Sequence, residues 1–233
     1  MNLDTGLTMA NYSITTRAHT RRVFFIGSIF CTATCLPSFA LNLALKDDNL
    51  RKCVQQTADK NHWQTLQDIT ALECHNQGIA SVEGIEQLSN LEKLSLYNNN
   101  LNNFPAFKLN HLTFLNIAKN KLPNLSLKDY PALENFLAFG NQLHTLELNN
   151  LPTLKTFKAN NNQITDFIYK DLPALEKIYM FDNKMITIDI YRLPKMNYMD
   201  VRQNPMPDKL YEDMDKLKGV TFLHNGNTRD WHQ

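Results

Sequence analysis

The stretch LEKLSLYNNNL, residues 91–101, decides the reading, because the chain keeps restating it. LTFLNIAKNKL begins at Leu112, LENFLAFGNQL at Leu133, LKTFKANNNQI at Leu154, LEKIYMFDNKM at Leu175 and MNYMDVRQNPM at Met196, each 21 residues after the last. A looser copy, ITALECHNQGI from Ile69, lies 22 residues before Leu91, and LKGVTFLHNGN from Leu217 keeps the 21-residue step. Every copy follows L-x-x-L-x-L-x-x-N-x-L. The polar column is Asn99, Asn120, Asn141, Asn162, Asn183, Asn204 and Asn225, with Gln77 in the same place in the first copy.

A supersecondary unit repeated at this period is the mark of a leucine-rich-repeat solenoid. In L-x-L, apolar and polar residues alternate, so a short strand buries one face and exposes the other. A buried asparagine carries two donors and an acceptor, enough to satisfy backbone groups where the strand turns away, and stacking makes a ladder of them. No coil buries its leucines alone, so both ends need covering. The returning segments repeat too: LPNLSLKDYPAL, LHTLELNNLPTL, ITDFIYKDLPAL and MITIDIYRLPKM share a second L-x-L and a proline at 131, 152, 173 and 194. Proline suits a corner before the next strand. Twenty-one residues leave no room for a full convex helix, and strands stack about 4.8 Å apart on both faces, so the arc is expected to be shallow and the stack roughly 35–40 Å long. The expected fold is therefore a right-handed solenoid with a parallel concave β-sheet, strand-like convex segments and a helical N-terminal cap.

The first 40 residues are a different material. Arg17, Arg21 and Arg22 precede VFFIGSIFCTATCL, an apolar run of 14 residues, and PSFA places Ser38 and Ala40 at the positions a signal peptidase needs. Residues 1–40 read as a secretory signal peptide cut after Ala40, from a start at Met1 or Met9. The alternative is an uncleaved anchor over residues 23–45, against which Pro37 and the shortness of the run argue. The expected divisions that follow are a helical cap over 41–68, repeats over 69–206, and a C-terminal helix, last strand and cap over 207–233.

Charge excludes some partners. The 24 basic and 23 acidic residues balance, and no basic stripe offers itself to nucleic acid. Cleavage removes Cys31 and Cys35 and leaves Cys53 and Cys74. An even pair in an exported chain points to one disulfide, the alternative being two buried thiols. The segment DNLRKCVQQTADK from Asp48 puts Leu50, Cys53, Val54 and Thr57 on one helical face, with Asp47 or Asp48 as N-cap. That helix would cover the first coil, where Cys74 occupies a core position, and a Cys53–Cys74 bond would staple the two. Trp63, Leu66 and Ile69 are expected in the same joint. After Asn204 the spacing of Leu210, Met214 and Leu217, between Pro207 and Gly219, predicts a helix in place of the returning strand. VTFLHN follows as a last strand, and Trp231 is expected to cover the final coil.

A helix with a cysteine, a tryptophan and an L-x-C strand leading into GIASVEGIEQLSNLEKLSLYNNNL resembles the N-terminal region of exported bacterial leucine-rich-repeat proteins, internalin-like ones included. The resemblance runs from Leu41 to about Asn225. It implies a non-enzymatic protein that binds other proteins, often on host cells, at the cell surface, in the periplasm or secreted.

The residues themselves carry no catalytic or cofactor signal. Seven histidines are scattered without metal-ligand spacing, and glycine-rich phosphate loops and serine-nucleophile motifs are missing. His75 and His224 are expected to point outward at opposite ends. The asparagine column is structural. The x positions are the informative ones, since alternation places them on the concave face. One column runs Glu73, Ser95, Asn116, Leu137, Lys158, Tyr179, Asp200, Thr221; the next runs His75, Tyr97, Ala118, Phe139, Asn160, Phe181, Arg202, Leu223. With Phe114, Lys177 and Tyr198 from the preceding column (Lys93, Phe114, Asn135, Thr156, Lys177, Tyr198), the expected partner surface is Tyr97, Phe114, Leu137, Phe139, Lys158, Lys177, Tyr179, Phe181, Tyr198, Asp200 and Arg202. An apolar patch rimmed by charge marks a protein or peptide partner, aromatic rings also suit carbohydrate, and the other reading is that the rings only pack on one another across strands. Self-association in the envelope and delivery as an effector are the competing functions.

Overall fold

The structure is a computed structural model that describes residues 41–226. The expected signal peptide (1–40) and Trp231 lie outside the described residues.

Helix α1 (Asp48–Asn61) opens on Asp47, whose carboxylate accepts the Asn49 and Leu50 amides, and ends at His62 in the left-handed region. Its buried face is Leu50, Cys53, Val54 and Ala58, with Thr57 only half-buried. The second Asp47 oxygen accepts the amides of Ala80 and Ser81 in the first coil, at 2.8 and 3.3 Å. One side chain thus caps a helix and fastens it to the stack. Cys53 and Cys74 form a disulfide with Cα atoms 5.9 Å apart, and Trp63 and Leu66 pack against the core beside buried Ile69. Ahead of the helix, Leu43 and Leu45 are buried. Gly84, at φ +95°, is needed there, because a Cβ would meet the Ala44 carbonyl oxygen at 2.3 Å.

Eight short parallel strands form the concave sheet: β1 (Ala71–Glu73), β2 (Lys93–Ser95), β3 (Phe114–Asn116), β5 (Asn135–Leu137), β7 (Thr156–Lys158), β9 (Lys177–Tyr179), β10 (Tyr198–Asp200) and β11 (Thr221–Leu223). The returning segments supply a second parallel sheet of β4 (Asn124–Lys128), β6 (Thr145–Asn149) and β8 (Asp166–Lys170). The 21-residue step appears directly in the register, with Leu115 beside Phe136, Phe136 beside Phe157 and Phe157 beside Ile178. Between the sheets lies one core, in which Leu94, Leu96, Leu115, Ile117, Phe136 and Phe157 are fully buried.

The asparagines work as their chemistry requires. Asn141 Nδ2 donates to the Ala138 carbonyl of its own coil and the Ile117 carbonyl of the coil before, both at 3.0 Å, while Oδ1 accepts the Leu122 amide at 3.2 Å. Asn99, Asn120, Asn162, Asn183 and Asn204 repeat this set.

Three sequence expectations are corrected. The last coil does not keep the 21-residue step: Asp200 pairs with Leu223 and Tyr198 with Thr221, a step of 23. Helix α2 (Asp208–Lys216) and the turn at Gly219 take up two extra residues before β11 begins. Phe222 therefore sits beside Met199, and His224 follows it inward and is buried. Asn225 is not a rung like the other six. Its Oδ1 accepts the Gln203 amide at 3.0 Å, and the residue is half-buried where the six are buried. His224, expected outside, stacks on Tyr211 and meets Asp215 at 3.1 Å.

The fourth returning segment, MITIDIYRLPKM, also departs from its neighbours by forming no strand. Asp189 folds back on itself, accepting the Tyr191 amide and pairing with Arg192, and its carbonyl takes the Tyr169 hydroxyl at 2.9 Å. A local Asx-type turn thus competes with sheet pairing.

Candidate binding face

The concave sheet brings the sequence-predicted residues onto one surface, in three columns set by strand register. Lys93, Phe114, Asn135, Thr156, Lys177 and Tyr198 are neighbours in the first; Ser95, Asn116, Leu137, Lys158, Tyr179 and Asp200 form the second. Tyr97, Ala118, Phe139, Asn160, Phe181 and Arg202 follow two residues further along each coil. Leu223 and Thr221 each fall one column earlier than the sequence suggested, through the two-residue slip of β11.

Exposure is lower than the sequence reading expected. Tyr97, Phe114, Leu137, Phe139, Tyr179, Phe181 and Tyr198 are all half-buried. The large exposed apolar side chains of the described residues are instead Ile168, Ile186 and Tyr191, outside this face. The rings are covered by one another and by cations. Tyr97 lies 6.3 Å from Phe139 and Tyr179 lies 5.0 Å from Tyr198, centroid to centroid. Lys119 Nζ sits 5.5 Å over Tyr97, Lys158 Nζ 4.8 Å over Tyr179, and the Arg202 guanidinium 5.9 Å over Phe181. These are cation–π contacts between adjacent or near coils. Asp200 is buried, and both its oxygens accept from Arg202, Nε at 2.9 Å and Nη2 at 2.7 Å. That carboxylate raises the Arg202 pKa. Burial and Asp200 together raise the pKa of Tyr198.

At the N-terminal end of the face, Ser95 is buried and its hydroxyl lies 2.7 Å from His75 Nε2, linking two coils. A shallow hollow of about 350 Å³ opens beside it, lined among others by Glu73, Lys93, Phe114 and Glu134. Among the described residues, no group of three or more His, Cys, Asp or Glu is placed to hold a metal ion.

One feature of the face escaped the sequence reading. The corner residue leaving each concave strand has positive φ: Asn76, Asn98, Lys119, Gly140, Asn161, Asp182 and Gln203. The left-handed conformation aims each amide at the next coil, as in Lys119 N–H to the Phe139 carbonyl at 2.9 Å. Asparagine, aspartate and glycine tolerate this conformation, which makes five of the seven readable in principle. Lys119 and Gln203 carry no such signal.

The chain is a leucine-rich-repeat solenoid built on 21-residue coils, a class defined by its own register, ladder and corner geometry. No family model and no curated relative matches the sequence. Solved structures with a similar fold include internalin C2 of Listeria monocytogenes, at 20% identity over 77% of this chain and 94% of that one, with a TM-score of 0.48. An internalin, InlF, of the same organism matches at 17% identity over 77% and 75% of the two chains, with a TM-score of 0.36. A leucine-rich-repeat protein of Leptospira interrogans matches at 17% over 71% and 56%, with a TM-score of 0.39.

Proposed function

We propose that this solenoid is a non-enzymatic binding module, exported from the cell, that docks a protein or peptide on its concave face. The observation that carries the reading is the column of Tyr97, Phe139 and Phe181 with Lys119 and Arg202 laid against its rings. Half-buried aromatics and a fixed guanidinium on a rigid sheet offer contact area at little entropic cost, the composition of interaction hot spots. Export is supported by the leader-like residues 1–40 and by the Cys53–Cys74 bond, since disulfides persist in oxidising compartments. Among the described residues no helix is long and apolar enough to cross a membrane. The test is capture of partners from envelope and extracellular fractions by the protein and by its Phe139→Glu and Phe181→Glu variants. Loss of capture with an unchanged circular dichroism spectrum supports the reading, and capture that survives both changes overturns it.

A second reading is self-association, favoured by Ile168, Ile186 and Tyr191 exposed on the returning side. A mass that rises with concentration in sedimentation, and falls back in an Ile168→Asp variant, would favour it.

A further inference from the structure

We infer that the occupant of the concave face is an extended acidic segment of a protein, with carboxylates more than three residues apart that meet Lys119 and Lys158. The inference rests on the docking reading above and adds the chemistry of the partner. Four lysines, Lys93, Lys119, Lys158 and Lys177, belong to the concave strands or their corners. The ion pairs of the described residues use other cations: Lys46, Arg51, Lys155, Arg192, Arg202, Lys209 and Lys216. Of the carboxylates in the same strands and corners, Asp200 is taken by Arg202 and the corner residue Asp182 accepts from Asn161 at 2.8 Å, which leaves Glu73 at the far N-terminal end. Glu92, Glu134 and Glu176 line the strand-entry edge, and Glu134 is held by Lys155 at 2.9 Å. The face is therefore graded from acidic at that edge to basic across its middle, and an anionic partner is steered onto the middle.

Position sharpens this. Lys119 and Lys158 are the two lysines held over rings, so their ammonium groups are placed rather than free to sweep. They belong to the third and fifth coils of the concave sheet. Strands stack about 4.8 Å apart, which puts the two coils about 10 Å apart along the solenoid. The ammonium groups lean apart from there, Lys119 back over Tyr97 in the second coil and Lys158 forward over Tyr179 in the sixth, so an extended peptide advancing about 3.3 Å per residue needs more than three residues to reach from one to the other. Arg202, two coils further on, is neutralised by Asp200 and serves to hold Phe181 instead of receiving an anion. Exposed charge pairs contribute little to affinity alone, so the rings Phe139 and Phe181 supply contact and the lysines select the partner's sign.

The experiment is fluorescence anisotropy with two labelled synthetic peptides, one with Glu at every third position among Leu and Ser, the other with Lys at the same positions. Each is titrated with the protein, a Lys119→Glu/Lys158→Glu variant and a Phe139→Glu variant, at low and high salt. The Glu peptide should bind the unaltered protein, weaken about tenfold in high salt, and weaken at least tenfold against the double variant. The Lys peptide should bind the double variant better than the unaltered protein. Failure of the Glu peptide to bind, or equal binding to the double variant, overturns the inference. If the Lys peptide binds the unaltered protein and Phe139→Glu removes that binding, the face remains a docking surface and only its acidic preference is lost.

Discussion

The imidazole of His224 lies face to face with the phenol of Tyr211, centroids 4.8 Å apart and planes 5° from parallel. The Gly226 amide donates to Nδ1 and Nε2 faces Asp215, so the hydrogen-bond network assigns the neutral ring's proton to Nε2. Tyr211 in turn donates its hydroxyl to the Asn204 carbonyl at 2.8 Å, above the last asparagine rung. Helix α2, the final strand and the ladder meet in this stack. Tyr211→Ala should cost about 3 kcal/mol in urea unfolding, by loss of a buried ring. Tyr211→Phe should cost about 1 kcal/mol, the value of one hydrogen bond. In the alanine variant, amide exchange of Thr221–Leu223 should accelerate before that of the central strands. Uniform acceleration would show that α2 is not a local cap.

The two-residue slip separates Asn225 from the ladder in energetic terms. Asn141→Ala removes three buried hydrogen bonds and leaves their backbone partners unpaired, which should cost about 3–5 kcal/mol. Asn225 is half-buried and out of the ladder's register, so Asn225→Ala should cost less than Asn141→Ala. Equal losses in thermal or urea unfolding would restore Asn225 to the ladder.

Asp47 predicts a pH dependence at the other end. Burial acts to raise its pKa, but the amides of Ala80, Leu50, Ser81 and Asn49 together hold it below the ordinary carboxylate value. A depressed folded-state pKa contributes stability that is present above the unfolded value of about 4 and is lost as pH falls through the folded one. Asp47→Ala should therefore destabilise by about 2 kcal/mol at neutral pH. The gap between variant and parent should narrow below about pH 4, measured as urea midpoints across an acid series.

Reduction isolates the staple. The 21-residue separation of Cys53 and Cys74 implies about 3 kcal/mol of stabilisation by loop closure. A Cys53→Ser/Cys74→Ser variant should lose that amount and become insensitive to reductant, whereas the parent should fall to the variant's level on reduction.

Tyr130 offers the opposite sign. Its hydroxyl is buried without a partner at hydrogen-bond geometry, and burial raises its pKa while the Phe107 backbone offsets only part of the rise. Tyr130→Phe should leave stability unchanged or raise it by up to about 1 kcal/mol in urea unfolding. A clear loss would reveal a partner for the hydroxyl.

The solenoid was legible because leucines and asparagines recur at one step, and that step is the fold. The last register was not. A slip of two residues leaves every strand side chain on its original face, so the alternation of Val220, Phe222 and His224 fits either register. Only the two residues that α2 and the Gly219 turn consume decide between them. The face columns were readable from alternation alone, but their exposure was not. Whether Tyr97 is open or covered depends on Lys119, 22 residues away in sequence and one coil away in space. The corner column was legible at five of its seven positions, and not at Lys119 and Gln203, which adopt a conformation that their neighbours impose.

The identical offsets of the asparagine bonds have an evolutionary consequence. From Asn120 to Asn204 every rung reaches back 24 residues for one carbonyl and accepts from an amide 19 residues before it. No interior coil is irreplaceable to that arithmetic, so the gene can gain or lose 21 codons there and still encode a continuous ladder between the same two ends. Recombination within such a gene changes the reach of the molecule in steps of one coil. Coils of another length are found only at the two ends of the described stack, where Asn99 completes its rung across a 22-residue step and Asn225 leaves the ladder after a step of 23.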